Sequence, residues 1–119
     1  MSANRLVDYL DHMERAASEA CSFVAGMSKD EFLRDRRTQQ AAIMNMIIVG
    51  EAATKILELH ADFAQAHAGV PWRSMRGMRN RIAHGYFDLN LDLVWDTLQV
   101  SLPQLLQQLI EVRNDSESR

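Results

Sequence analysis

The apolar residues of this chain recur at helical spacing, and this pattern constrains its fold more than any other feature. Near the N-terminus they advance by alternating steps of four and three residues and form one seam, made of Leu6, Leu10, Met13, Ala17, Ala20, Val24 and Met27. Such a seam is typical of a helix that packs against other helices. Alternating strand patterns are absent, and only two prolines and five glycines occur in 119 residues. We predict an all-α bundle of four to five helices that forms one domain over residues 1–119.

Capping residues indicate where the helices of the N-terminal half begin and end. Gly26 is expected to end the first helix. Ser28 and Glu31 have the spacing of a capping box, which predicts a short helical turn after it. A second long helix is predicted from near Asp35 to about His60, and its apolar middle makes it the central helix of the bundle.

Two residues of this central helix interrupt its apolar pattern. Gly50 costs about 1 kcal/mol relative to alanine inside a helix, so we expect a neighbouring element to pack closely there. Glu51 lies among apolar residues and has two interpretations. It either reaches water at an edge of the helix, or it is a buried acid paired with an arginine.

The C-terminal half contains two further predicted helices. Pro71 suits the first position of a helix that runs from Trp72 to about Tyr86. Asn90 is a good N-cap for a last helix, which we expect to end before a polar, frayed tail of residues 113–119. Pro103 lies inside that last helix and is expected to kink or split it.

The composition limits the class of protein. The single cysteine, Cys21, excludes an intrachain disulfide, and a helical core position is favoured for it over a nucleophilic thiol. The first ten residues contain no apolar signal segment, and no apolar run is long enough to span a bilayer. These features predict a cytoplasmic protein without a membrane segment. A net charge of −3 argues against a general nucleic-acid coat protein but not against a local site.

Cations concentrate in one segment, because residues 63–87 contain four arginines and no aspartate or glutamate. This basic island on an acidic chain predicts one site for an anionic partner. On a helical wheel, at about 100° per residue, one arc narrower than half the helix holds Arg73, Arg76, Arg79, Asn80 and His84. Arg81 lies off this arc, and Met75, Met78 and Ile82 are expected to face the core from the opposite side.

These side chains suit the cleavage of an RNA phosphodiester. Arginine binds phosphate oxygens and stays charged, which gives Arg73 and Arg76 a predicted role in binding RNA phosphates. Histidine exchanges a proton near neutral pH, so His84 can act as an acid or a base, and Asn80 can orient it or the substrate. Because the RNA 2′-hydroxyl can be the internal nucleophile, neither a metal nor another cofactor is required. A solvated helix face without a function is the alternative for such a set of side chains.

The segment from Arg79 to Tyr86 resembles the R-x-x-x-x-H-x-Y signature of HepT-type toxins, in the HEPN superfamily of helical ribonuclease domains. Three flanking segments are also similar to this family, and with them nearly the whole chain is covered. They are Phe32 to Arg37, Ile48 to Ala52 and Val70 to Trp95. The resemblance implies an up-and-down, HEPN-like helical bundle.

The resemblance also implies an activity and partners. Arg79 and His84 would be catalytic, supported by Asn80, in a metal-independent endoribonuclease whose cleft lies between the two subunits of a homodimer. The protein would be the toxin of a type II/VII-like toxin–antitoxin system with RNA as its substrate, for which tRNA and mRNA are candidates. A small MntA-type nucleotidyltransferase would be the antitoxin, and it would silence the toxin by adenylylating Tyr86.

Two other functions fit the same residues. In the first, the chain is a non-catalytic subunit that binds a nucleotide or presents a substrate to a nucleotidyltransferase, and the arginines hold a triphosphate. In the second, it is a helical scaffold whose arginines bind an acidic partner protein. A nucleotide titration of the isolated protein distinguishes the non-catalytic subunit from a ribonuclease. The absence of a neighbouring nucleotidyltransferase gene would argue against the toxin.

Overall fold

The computed structural model describes the backbone of residues 2–117 and the side chains of residues 5–85 and 87–114. Within residues 2–117 every regular element is helical, which confirms the predicted all-α class. In chain order the elements are α1 (Ser2–Phe23), α2 (Lys29–Leu33), α3 (Arg36–Leu59), α4 (Ala61–Ala66), α5 (Trp72–Gly85), a 3₁₀ turn (Tyr86–Asp88), α6 (Leu91–Asp96), a π-helical segment (Thr97–Ser101) and α7 (Leu102–Glu117).

Helix α3 is the centre of the bundle, as predicted. It packs against both α1 and α5, and α1 also packs against α7. The predicted seam of α1 is confirmed, because its members from Leu10 to Val24 are buried and Leu6 and Met27 are partly buried against them. The small residues of this seam, Ala17 and Ala20, are fully buried.

Hydrogen-bonded caps define the connection between α1 and α3. The chain turns at Gly26, whose φ of 77° is left-handed and is adopted by glycine without strain. The capping box is confirmed: the Ser28 hydroxyl accepts from the Glu31 N–H at 3.1 Å, and Glu31 Oε1 accepts from the Ser28 N–H at 2.9 Å. Asp35 caps α3 by accepting from the backbone N–H and the hydroxyl of Thr38 at 3.1 and 2.8 Å. These bonds, chiefly those from backbone N–H groups, hold the pKa of Glu31 and of Asp35 below its ordinary value.

The predicted last helix is one helical stretch that contains a wider turn. Asn90 caps it as expected, because its Oδ1 accepts from two backbone N–H groups of the first turn at 3.0 and 3.3 Å. Pro103 does not split the helix. The turn before it is π-helical, and there the Leu102 N–H bonds to the Thr97 carbonyl oxygen. A proline lacks an N–H and clashes with the carbonyl four residues earlier, and the wider π turn accommodates both defects.

Helix α7 extends beyond the predicted end of the last helix. It continues to Glu117, so the tail expected to fray from residue 113 is helical up to that point. Arg113 pairs with two carboxylates of α1, those of Asp11 and Glu14, and this contact ties α7 to α1. Within residues 2–117 none of the helices combines the length and apolar character needed to cross a membrane.

Candidate active site

Helix α5 carries five of the six predicted site residues, and one of its faces packs against α3. Pro71 lies immediately before this helix, and its carbonyl accepts from the Met75 N–H at 3.1 Å. Trp72, Met75 and Ile82 are buried, and Met78 is partly buried. The core-facing role expected for these methionines and for the isoleucine is therefore confirmed.

Arg79 lies on the packed face of α5, which corrects the prediction that it faces away from the core. At about 100° per residue, Trp72, Met75 and Ile82 all fall within about 60° of Arg79. Those three residues are buried, so the core lies on the side of Arg79 and not opposite to it. The predicted arc of polar residues is therefore divided. Arg79 lies at the contact between α3 and α5, and Arg73, Arg76, Asn80 and His84 lie further round the helix.

Gly50 of α3 makes room for Arg79. A Cβ atom on Gly50 would lie 2.4 Å from the Cβ of Arg79 and 2.6 Å from the carbonyl oxygen of Met75. Side chains do not tolerate such distances, so α3 and α5 meet at a point where only glycine fits. This confirms the close packing that was expected at Gly50.

Two residues of α3 fix the guanidinium of Arg79. Its Nη2 donates to the Thr54 hydroxyl at 3.0 Å, and its Nη1 lies 3.3 Å from Oε1 of Glu51. The Thr54 hydroxyl donates in turn to the Gly50 carbonyl at 2.8 Å. The Nε of Arg79 is buried and has no hydrogen-bond partner among the described residues. The Arg79 side chain as a whole is 26% exposed, so it is partly accessible to solvent.

Glu51 combines parts of its two interpretations. It pairs with an arginine, as the second interpretation expects. Its side chain is nevertheless 52% exposed, so it lies at the edge of α3 and is not a buried acid.

The other predicted residues lie further round α5. Arg73, Asn80 and His84 are exposed, and Arg76 is half-buried between them and the packed face. At about 100° per residue, the three exposed residues lie about 100–140° from Arg79, so they share one flank of the helix. Within the described part of the chain, these four side chains make no ion pair or hydrogen bond with one another.

Tyr86 follows α5 directly and begins the 3₁₀ turn. Its side chain lies outside the described part of the structure, so its predicted modification stays a prediction. The next residue, Phe87, is 86% exposed. An apolar ring this exposed, three residues after His84 in the sequence, is a marked feature of the surface.

A groove of about 920 Å³ lies between the first half of α3 and the end of α5. Its lining includes Met44 from α3, Ala83 from α5 and Phe87 from the 3₁₀ turn. Arg34 and Arg36 also line it, and its lining contains no acidic residue. The groove is thus mainly apolar with a cationic end, and it adjoins the motif helix.

Other chemistry is not favoured by the described residues. They contain no group of three or more histidine, cysteine, aspartate or glutamate side chains that could hold a metal ion. The Sγ of Cys21 lies 3.9 Å from the Leu98 carbonyl oxygen, and burial raises the pKa of this thiol. A raised pKa disfavours the nucleophilic thiolate, which supports a core position for Cys21.

The family comparison covers the helices that form this site. The model of the family described as Ribonuclease HepT-like matches residues 13–112, which include all of α3 and α5. The chain belongs to this family. The HepT-like resemblance of the sequence is therefore confirmed over most of its length.

Three curated relatives of this HepT-like chain are similar over most of their length. A protein of Methanocaldococcus jannaschii named "Putative RNase" is 32% identical over 112 residues, which cover 94% of this chain and 87% of the relative. A protein of Thermococcus cleftensis named "Probable ribonuclease HepT" is 32% identical over 106 residues, or 89% of this chain and 94% of the relative. A further RNase-named relative, from Caldanaerobacter subterraneus, is 31% identical over 104 residues, or 87% of this chain and 90% of the relative. No solved structure matches the chain significantly.

Sequence reasoning missed two features of this HepT-like site. The first is Thr54, which follows Gly50 by one helical turn and contacts the same arginine. Thr54 lies four residues after Gly50 and three after Glu51, and this helical spacing was the available signal. The second is the groove, which only the packing of α3 against α5 creates.

Proposed function

We propose that this protein is a metal-independent endoribonuclease in which Arg79 and His84 are the catalytic residues. The observation that carries the proposal is the position and exposure of these two side chains in a HepT-like chain. Arg79 is hydrogen-bonded to α3 and its side chain is partly exposed, and His84 is exposed five residues later on the same helix. A fixed cation and an accessible imidazole are what cleavage of RNA through its own hydroxyl requires.

The proposed reaction needs no nucleophile from the protein. The RNA 2′-oxygen attacks the adjacent phosphorus, and the bond between phosphorus and the 5′-oxygen breaks. An imidazole of His84 accepts the 2′-hydroxyl proton or donates a proton to the leaving 5′-oxygen. Arg79 stabilises the charge that develops on the non-bridging oxygens, and the exposed Arg73 and the half-buried Arg76 bind neighbouring phosphates. Asn80 orients the imidazole or the substrate.

We propose that the active form is a homodimer whose motif helices share one cleft. One chain offers a single motif histidine, whereas the reaction needs both a base and an acid, and two chains bring two imidazoles to one cleft. The apolar groove beside α5 supports this proposal, since Phe87 and Met44 are 86% and 56% exposed. Large apolar side chains at this exposure favour an interface with another protein surface.

The biological role proposed is that of a toxin in a type II/VII-like toxin–antitoxin system. The partner would be an MntA-type nucleotidyltransferase that adenylylates Tyr86. The backbone position of Tyr86, two residues after His84 in the 3₁₀ turn, supports this proposal. A bulky anionic group there would compete with the RNA phosphates for the arginines of α5.

Cleavage of RNA by single-site variants tests the catalytic assignment. We expect His84→Ala and Arg79→Ala to lose RNA cleavage and growth arrest, whereas Arg81→Ala retains both. Arg81 is a matched control because it is an exposed arginine of the same helix that lies off the site flank. Wild-type cleavage by His84→Ala or Arg79→Ala contradicts the assignment. Nucleotide binding by a wild-type protein that leaves RNA intact would favour the non-catalytic subunit instead.

A further inference from the structure

Thr54 holds Arg79 through a hydrogen bond whose direction is fixed. A hydroxyl has one proton to donate, and that of Thr54 goes to the Gly50 carbonyl oxygen at 2.8 Å. The Thr54 oxygen is therefore left to accept, and it accepts from Nη2 of Arg79 at 3.0 Å. Because Thr54 is only 6% exposed, water competes poorly for this oxygen.

Glu51 is a second and weaker anchor for the same guanidinium. Its Oε1 lies 3.3 Å from Nη1, so the two anchors engage different nitrogen atoms. Contacts at both Nη1 and Nη2 oppose rotation of the guanidinium plane. Glu51 is 52% exposed, so solvent screens its ion pair more than it weakens the bond to Thr54.

The Gly50 contact fixes the other end of the Arg79 side chain. The Cβ of Arg79 lies against the bare backbone of Gly50, so the side chain is held at its root and at its tip by one helix. A guanidinium has five N–H groups, and each Nη nitrogen carries two of them. One contact at each Nη leaves N–H groups on both nitrogens for a phosphate.

We propose that Thr54 and Glu51 are positioning residues that hold Arg79 in the orientation in which it stabilises the RNA phosphate during cleavage. This proposal rests on the ribonuclease function proposed above. Neither residue contacts the RNA in it, because both act through Arg79. Holding a long side chain before the substrate arrives removes the need to order it in the transition state.

Removal of the Thr54 hydroxyl tests the proposal kinetically. We expect Thr54→Val, which keeps the side-chain shape, to lower kcat for RNA cleavage by about 10- to 100-fold and to change KM by less than about threefold. Thr97→Val is the matched control, because the Thr97 hydroxyl also donates to a carbonyl four residues earlier at 2.8 Å but does not contact Arg79. A kcat for Thr54→Val equal to that of Thr97→Val overturns the proposal.

Two further variants separate positioning from a purely structural role. Thr54→Ser restores the hydroxyl without the methyl group and should recover most of kcat. If kcat of Thr54→Ser stays as low as that of Thr54→Val, packing of the methyl group and not the hydroxyl is what matters. That result contradicts the proposal. Glu51→Gln should lower kcat less than Thr54→Val does, with Glu58→Gln, an exposed acid of the same helix, as its control.

The nitrogen NMR signals of the Arg79 guanidinium give a readout that does not depend on activity. We expect separate, slowly exchanging Nη signals in the wild-type protein and averaged signals in Thr54→Val. We call the paired contacts of Thr54 and Glu51 with the Arg79 guanidinium the clamp. Averaged signals in the wild type would show that these contacts do not hold the guanidinium, and they overturn the clamp. If the wild type shows separate signals but cleaves no RNA, the ribonuclease function fails and the clamp stands as a structural contact. If it cleaves RNA and Thr54→Val cleaves equally well, the clamp fails and the ribonuclease function stands.

Discussion

Gly50 and Arg79 approach one another so closely that Gly50 has no room for a side chain. A Cβ on Gly50 would lie 2.4 Å from the Cβ of Arg79, and the backbone of α5 is equally near, with the Met75 carbonyl oxygen at 2.6 Å. The contact places the arginine beside Thr54 and Glu51, which then engage its guanidinium. One glycine of α3 thus determines where the proposed catalytic cation lies.

Gly50→Ala should destabilise the protein by about 1–3 kcal/mol, because the added methyl group forces α3 and α5 apart. The gain of about 1 kcal/mol in helix propensity is too small to offset this strain. Urea unfolding measures the difference, and RNA cleavage should fall with it because Arg79 is displaced.

Gly77→Ala is the control for this change. A Cβ there would meet only the Nη1 of Arg81, at 3.3 Å, and that flexible end can move. We expect Gly77→Ala to be neutral or to stabilise the protein by up to about 1 kcal/mol. Equal stability of the two variants would show that the α3–α5 contact adapts to a side chain at Gly50.

Local signals allowed much of the fold to be predicted from the sequence. The capping box at Ser28 and the N-cap at Asn90 depend on side chains within three residues, and both are present. Pro103 follows a local rule too, but its outcome differs. Leu98, Leu102 and Leu105 are buried on both sides of the proline, so packing keeps the helix intact and a π turn absorbs the defect.

The position of Arg79 could not be predicted from α5 alone. A helical wheel groups polar residues together and assigns them to solvent. Arg79 departs from this rule because Gly50, 29 residues earlier and on another helix, opens a place for it in the packed face. A gap of this kind depends on which two helices pack together and on which residues then face each other. The spacing of residues within one helix does not contain that information.

The cap of α3 should make stability depend on pH. Hydrogen bonds from Thr38 lower the pKa of Asp35 in the folded state. The Asp35 carboxylate therefore contributes fully to the free energy of unfolding above its unfolded-state pKa, about 3.9. This contribution is lost as the pH falls through the lower pKa of the folded state. We expect the difference in unfolding free energy between wild type and Asp35→Asn to be largest at neutral pH and to shrink below about pH 4.

Chemical denaturation at a series of pH values measures this difference. Asp96→Asn is a suitable control, since Asp96 lies within the last helical stretch and caps no helix with its side chain. A difference between wild type and Asp35→Asn that stays constant from pH 7 to about pH 3 would contradict a role for the Asp35 charge in the cap.

Self-association through the groove beside α5 should be sensitive to charge. Met44 lines the groove and is 56% exposed, so Met44→Asp places an unpaired carboxylate in the proposed dimer interface. We expect the wild type to sediment as a dimer and Met44→Asp to sediment as a folded monomer with little RNA cleavage. Circular dichroism checks that the variant keeps its helices.

Val100→Asp is the control for the interface. Val100 is 63% exposed, but it does not line the groove. This variant should remain dimeric and active. Dissociation by Val100→Asp together with an intact Met44→Asp dimer would place the interface on the last helical stretch and not beside α5.

Modification of Tyr86 should be visible as an added mass of adenylate after coexpression with the proposed nucleotidyltransferase. Intact-mass measurement detects the adduct, and we expect the modified protein to lose RNA cleavage because the added phosphate competes for the arginines of α5. The chain has two tyrosines, so Tyr9→Phe is the matched control for Tyr86→Phe. Tyr9 is partly buried in α1, and Tyr9→Phe should still be modified and silenced. An adduct that persists in Tyr86→Phe places the modification on another residue and removes Tyr86 as the switch.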